Sequence, residues 1–367
     1  MGGTQSADAP YVIDVLAKLQ ATPTESDYSL VKVRSIPQNP SYDVERFEDI
    51  IDNFVTKDGD VFVTTFVKAG TTWTQQIIHQ LLRQGKEGGF YGESVPWLEC
   101  MASDFLMPRE APGWTLDKIN ANPGPRYFKT HATVAHLPRG NSPAKYKVIY
   151  IARNPKDTVV SLYHHAKSKP EFCYTGDFQK FCEIFISGQA ENASWFEHVL
   201  DWHAECKRNP TTHLFLQYED MYQNPAVAVK TIAKFLGVPC EGQVRYCRLC
   251  VLHAATYHLY CAMCLVIGLL FCSLPIHPIP YYPPFSTSGN AANQVLEDVI
   301  KNSSIGEMRQ KASIGLNHLR QGGYGNWRTM FTVAMSEFFD DVYRYKMVDS
   351  GLKFNFGPNS NGKDVIM

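Results

Sequence analysis

The sequence predicts an α/β protein with a central, mostly parallel sheet flanked by helices. Three observations carry that prediction. Four short apolar or β-branched runs recur along the chain, polar or glycine-containing turns follow them, and helical patterns lie between them.

The first run, Val61 to Val67 (VFVTTFV), enters a Gly-Thr turn, and the helix behind it sets Ile77, Ile78, Leu81 and Leu82 on one face. Tyr127 to His131 (YFKTH) is a second strand, set off by the breaker ANPGP. Lys147 to Ala152 (KVIYIA) is a third, ended by Arg-Asn-Pro-Lys-Asp and followed by the helical VVSLYHHA. His213 to Tyr218 (HLFLQY) is the fourth and leads to a helix from Val227 to Leu236, closed by Gly237. Strands joined by helices imply right-handed crossovers, and such sheets bind ligands at the carboxyl ends of their strands. The polar motifs of this chain fall at those ends.

With 367 residues the chain suits one large domain or two ordinary ones. Its 35 Lys and Arg against 36 Asp and Glu leave a net charge of −1. That balance argues against a protein held to nucleic acid or an anionic membrane by bulk charge. Hydrophobic content of 44% and aromatic content of 13% exclude disorder as the main state. No basic stretch followed by an apolar run opens the chain, so thiols rather than disulfides and a cytoplasmic setting are expected.

One stretch departs from this composition. Residues 244–294 carry only Arg245 and Arg248 as charges, yet hold five of the ten cysteines and five of the 22 prolines. The apolar run from Leu259 to Leu274 is shorter than the ~20 residues that span a bilayer. Helical patterns flank the segment on both sides, so it reads as an insertion into a complete domain. Three readings stay open: a retained intron, a genuine loop that touches a membrane, or a zinc site. The zinc reading rests on the pairs Cys247/Cys250 and Cys261/Cys264, spaced more closely than the ~15–20 residues usual in zinc ribbons. The expected organisation is an N-terminal segment over 1–34, a domain over 35–347 interrupted at 244–294, and a disordered tail over 348–367.

Four motifs carry chemistry. Val67-Lys68-Ala69-Gly70-Thr71-Thr72-Trp73 runs from a strand through a glycine turn into a helix, which aims backbone N–H groups and the helix dipole at an anion. Its lysine precedes the glycine, so this is not the phosphate loop of nucleotide kinases. In Lys129-Thr130-His131 the cation and the imidazole share one strand face, an arrangement suited to holding an anionic leaving group while His131 accepts a proton. Arg153 offers a bidentate fork to phosphate at a helix start, with Ser161 eight residues on. The glycines of Leu319-Arg320-Gln321-Gly322-Gly323-Tyr324-Gly325-Asn326-Trp327 let backbone approach a phosphate closely. Each has an ordinary alternative: a βα turn, a structural histidine, a solvated turn and a flexible loop.

In their order and spacing these motifs resemble the cytosolic sulfotransferase family. Phe66 to Trp73 matches YPKSGTTW, Lys129 to His131 matches KTH, Arg153 to Ser161 matches RNxKDxxVS, and Arg320 to Trp327 matches RKGxxGDW. The resemblance covers about residues 35–243 and 295–347. It implies a single P-loop-like domain that moves a sulfuryl group from 3′-phosphoadenosine 5′-phosphosulfate (PAPS) to a hydroxyl or amine. Lys68, Ala69, Gly70, Thr71 and Thr72 would cradle the 5′-phosphosulfate, and Trp73 with Tyr218 would hold the adenine. Arg153, Ser161, Arg320, Gln321 and Gly322 would hold the 3′-phosphate, with Ser303 keeping the family's hydroxyl nearby. His131 would be the general base, with Lys129 and Lys68 offsetting charge on the bridging oxygen, and no metal is implied.

The chain departs from the family pattern at several places. Val67 stands for Pro, Ala69 for Ser, Gln321 for Lys, Asn326 for Asp, and Ile305 for an aromatic residue. Glu93 to Glu99 resembles a pocket segment, with Trp97 at an aromatic position, and His165 stands where relatives acting on phenols often carry Phe. A small apolar or aromatic acceptor is expected. Arg328 to Glu337 resembles the family's dimer motif, so a homodimer is expected. Met1 to Ser6 fits the myristoylation pattern at Gly2. Membrane contact is expected only if that modification or the insertion is real. The alternative is a non-catalytic nucleotide-binding or membrane-associated relative, inactivated by the insertion.

Overall fold

A computed structural model describes residues 9–21, 28–110, 113–138, 145–240, 289–311, 322–358 and 364–367. Arg320, Gln321, Gly2 and both Cys-x-x-Cys pairs lie outside the described residues, as does the 244–294 segment up to residue 288.

The chain opens with α1 (Ala9–Ala21), a hairpin of β1 (Val31–Val33) and β2 (Ile36–Gln38), and α2 (Val44–Asn53). The central sheet follows: β3 (Val61–Thr65), β4 (Tyr127–Thr130), β5 (Lys147–Ala152) and β6 (His213–Gln217). All four pair in parallel in the order β4-β3-β5-β6. Helices α3 (Thr71–Leu82), α4 (Pro155–Ser168), α5 (Phe178–Ile186), α6 (Trp195–Arg208), α7 (Pro225–Leu236), α8 (Gly289–Asn302) and α9 (Val333–Lys346) complete the layers.

Every residue of β3 is buried, as a parallel strand covered on both faces requires. Side chains alternate between two apolar layers. Val61, Val63, Ile149 and Ile151 meet Ile77, Ile78 and Leu81 of α3, Val229 and Ile232 of α7, and Val299 of α8. Phe62, Phe128 and Tyr150 belong to the opposite layer with Phe54, Trp195 and Trp202. The chain leaves β3 toward β4 on one side and β5 toward β6 on the other. The crevice between the carboxyl ends of β3 and β5 is therefore the switch point where such sheets bind ligands.

Three expectations need correction. The boundary at 34/35 falls in the turn of the β1–β2 hairpin, where Arg34 and Ser35 have φ of 47° and 73°. Strands of three residues are too short to show a period of two. Helix α8 begins at Gly289, so the last six residues of the 244–294 segment belong to a helix packed on α3 and α7. Finally, the tail is not disordered over its described residues. Strands β7 (Asn355–Pro358) and β8 (Asp364–Ile366) pair, and Phe354 and Phe356 are buried. The Gly, Asn and Ser around them hide two aromatic anchors whose partners, Trp195 and Tyr343, come from distant helices. Replacing Phe354 by Ala should lower unfolding free energy by about 3–5 kcal/mol in a denaturant titration; a disordered tail would lose nothing.

Candidate active site

Strand β3 ends at Thr65, and the next seven residues build an anion cradle. Lys68 has φ of 66°, uncommon for a residue with a side chain, and Gly70 has φ of 109° as the N-cap of α3. A Cβ on Gly70 would lie 2.7 Å from the Tyr218 ring, so only glycine fits this close approach. Lys68, Gly70, Thr71 and Thr72 then line the cavity at the start of α3, where the first N–H groups of a helix are free to meet an anion.

Arg153, at the end of β5, locks this turn from beside it. Its Nη1 donates to the Lys68 carbonyl at 3.1 Å, and its Nη2 donates to the Gly323 carbonyl at 3.0 Å. Its Nε is buried without a hydrogen-bond partner among the described residues, and the guanidinium lies 4.6 Å over the Tyr218 ring. Tyr218 in turn meets Trp73 edge-on at 5.5 Å. Asp157 at the start of α4 accepts the N–H groups of Gly325 at 2.6 Å and Trp327 at 3.0 Å. The glycine loop is thereby fastened to the third motif.

His131 follows β4. Its Nδ1 lies 3.0 Å from the Thr65 carbonyl, which can only accept, so Nδ1 carries the proton and Nε2 is the unprotonated nitrogen. Its backbone N–H and the Thr130 hydroxyl both donate to Glu99 Oε1 at 2.6 Å. Its carbonyl accepts from Asn192 Nδ2 at 2.6 Å and from His198 Nε2 at 3.1 Å. The segment around Trp97 runs beside β4: Lys129 N–H donates to the Pro96 carbonyl, and Leu98 N–H to the Lys129 carbonyl. That pairing puts the Trp97 ring edge-on to His131 at 5.3 Å and 3.5 Å under the Lys129 ammonium.

Crowding of cations in a buried space sets the protonation states. Burial, then the nearby Lys129 charge, hold His131 well below the ordinary imidazole value, so it is neutral at pH 7. Burial, then Lys129, bring Lys68 down to about 7. Burial pushes Glu191 up to about 7 against the opposing pull of Lys68.

One cavity unites most of the residues singled out in the sequence: Lys68, Gly70, Thr71, Thr72, Trp73, Trp97, Lys129, His131, Arg153, Ser161, His165, Tyr218 and Gly322. Ala69 is buried beneath the turn and does not line the cavity. Ser303 is also buried outside its lining, with a hydroxyl that has no partner among the described residues, while Ile305 does reach it. Sequence reasoning missed Asn39, Lys169, Glu171, Glu191 and Met308, which also line the cavity. Only Lys169 carries a sequence signal, since it continues the four-residue spacing of Ser161 and His165 to the residue that caps α4. Among the described residues no group of His, Cys, Asp or Glu is placed to hold a metal, and no helix is long and apolar enough to cross a membrane.

A site of this kind, anion cradle beside a neutral histidine, agrees with the comparisons with known proteins. A family model described as the sulfotransferase domain matches residues 58–255 and 284–351. The chain belongs to the sulfotransferase family, whose reaction is sulfuryl transfer. It is 31% identical over 332 residues to Sulfotransferase 1A1 of Mus musculus, covering 89% of this chain and 96% of that protein. With Sulfotransferase 4A1 of Homo sapiens it shares 30% over 341 residues, 93% of this chain and 98% of that one. Among solved structures, mouse sulfotransferase SULT7A1 complexed with PAP superposes with a TM-score of 0.61 at 23% identity, over 88% of this chain and 95% of that one. Retinol dehydratase, in complex with androsterone and inactive cofactor PAP, gives 0.60 at 17%, over 95% and 96%. At those identities the two structures show a shared fold.

The His131 shift has a checkable sign. Below its ordinary value of 6.5 the unfolded chain binds a proton that the folded chain refuses, so stability falls as pH drops through that value. In an NMR titration the His131 ring should stay neutral throughout the range above 6.5, and Lys129→Met should move its midpoint upward.

Proposed function

We propose that this protein transfers the sulfuryl group of PAPS to a hydroxyl or amine of a small acceptor, with His131 as general base. The observation that carries the reading is the neutral His131, its Nδ1 tied to the Thr65 carbonyl, lining one cavity with Lys68 and Lys129. The fit to PAPS is supported by the buried, unpartnered Nε of Arg153 and by Gly70, where a Cβ would strike Tyr218.

PAPS supplies an activated sulfuryl group on a phosphate leaving group. Lys68 and the N-terminus of α3 hold the 5′-phosphosulfate. Arg153, Ser161 and Gly322 face the 3′-phosphate, with Arg320 and Gln321 completing that contact. Trp73 and Tyr218 take the adenine. As the acceptor oxygen or nitrogen bonds to sulfur, His131 Nε2 takes its proton, and Lys68 with Lys129 offset charge on the departing oxygen. Trp97 walls the acceptor beside the base, and His165 lines the cavity four residues beyond Ser161. We also propose a homodimer through the Arg328–Glu337 segment, supported by the 75% exposure of Val333 within it.

His131→Ala should cut turnover by about 10²–10⁴-fold while 3′-phosphoadenosine 5′-phosphate (PAP) still raises the melting temperature as in the wild type. Equal loss of turnover and PAP binding would give His131 a structural role instead. Binding of PAP by the wild type without turnover on any hydroxyl or amine would favour the non-catalytic relative. The affinity for PAP, measured by calorimetry, should fall as pH rises through 7, because Lys68 then loses its charge and Glu191 gains one. Both changes oppose an anion.

A further inference from the structure

We propose that Glu191, assisted by Glu171, forms a cation-recognition subsite in the cavity, so that the preferred acceptor carries a protonated amine besides its nucleophile. The proposal rests on the sulfuryl-transfer reading and names the acceptor class for that same site.

Glu191 is only 4% exposed, yet it lines the cavity, and its Oε2 has no hydrogen-bond partner among the described residues. A buried carboxylate oxygen with no donor is costly unless a ligand supplies one. The chain holds it there deliberately. Asn192 and Ala193, directly after it, both have positive φ, at 67° and 62°. Asn192 N–H donates to the Pro37 carbonyl at 2.8 Å, and its side chain donates to the His131 carbonyl at 2.6 Å. Two successive left-handed residues with side chains store strain that neighbouring contacts must over-determine, and such strain gathers at ligand sites. The result is a carboxylate whose neighbour in the chain is tied to the backbone of His131.

The charges around it point to the ligand. Along α4, Ser161 and His165 line the cavity one turn apart; Lys169 and Glu171 follow just past the helix end. The cavity that holds the anion cradle is thus also lined by Lys169, Glu171 and Glu191, and Lys68 is the foremost charge acting on Glu191. With the donor bound, its phosphosulfate and 3′-phosphate engage Lys68, Lys129 and Arg153. Lys169 can balance one of the two carboxylates, and one negative charge remains in a desolvated space beside a polyanion. A neutral phenol leaves that charge unmatched, and Glu191 must then take up a proton. An ammonium on the acceptor matches it and offsets the donor's charge as well. Burial and the Glu171 charge both push the Glu191 carboxyl toward its neutral form, which Lys68 opposes, so its ionisation depends on a nearby cation. Trp97, Leu106, Ile305 and Met308 in the same lining suit the small aromatic body expected from the sequence, to which the ammonium would be attached.

The probes are tyramine and 4-ethylphenol, which share ring and chain and differ by the ammonium group. Titrated by calorimetry into the full chain saturated with PAP at pH 7.5, tyramine should bind at least about tenfold tighter. Glu191→Gln should bring the two within a factor of about three while PAP binding is kept or tightened. Glu171→Gln should shift the ratio the same way by less, and it serves as the second variant if the first does not fold. In turnover assays the preference should appear in KM rather than kcat. Equal binding of the two probes, tighter 4-ethylphenol, no binding of either, or a preference that survives Glu191→Gln overturns the subsite while PAP binding stands. Failure of the wild type to bind PAP overturns the sulfuryl-transfer reading itself, and this proposal with it.

Discussion

Arg153 donates to the Lys68 carbonyl and to the Gly323 carbonyl, so one planar side chain spans three segments far apart in sequence. Four residues on, Asp157 accepts from Gly325 and Trp327, and Asn154 between them is held by Glu219 Oε1. The N-terminus of α4 is thus the fastening point for the anion cradle, the glycine loop and the end of β6. Phe66, Val67 and Trp327 root these loops in the apolar core, and charge-assisted hydrogen bonds, stronger for being out of water, fix the turns that face the ligand.

The sheet beneath supplies a level platform. Four parallel strands in register deliver Thr65, Thr130, Ala152 and Gln217 to one edge, so the motifs that follow them emerge side by side. Registration matters most for His131. Its ring is oriented by a carbonyl of the neighbouring strand's end, Thr65, and its backbone by Glu99, a buried carboxylate brought in by the Trp97 segment. Carbonyl and carboxylate act on different atoms of one residue, and together they leave a single nitrogen available to the substrate.

How far the sequence foretells all this depends on how local the cause is. Strands β3 and β5 are legible because strands covered on both faces read as short, largely apolar or β-branched runs, as Val61 to Val67 and Val148 to Ala152 do. The anion cradle is legible because a lysine, a glycine and two threonines must be adjacent for their backbone to wrap one ligand. What is illegible is made by long-range packing. The β1–β2 hairpin has three residues per strand, and the tail strands depend on Trp195 and Tyr343, both more than ten residues earlier in the chain than the phenylalanines they meet. The same distinction divides the cavity. Its donor side follows from contiguous motifs, whereas Asn39, Glu171 and Glu191 come from three separate loops that meet only once the layers have packed.

The burial that keeps His131 neutral also governs how the site empties. An imidazole that resists protonation is, once protonated, a strong acid, and Lys129 beside it makes the cation less tolerable still. A proton placed on this ring is therefore held weakly and passes readily to water. One environment thus sets both the resting state of the ring and the ease with which it gives a proton up.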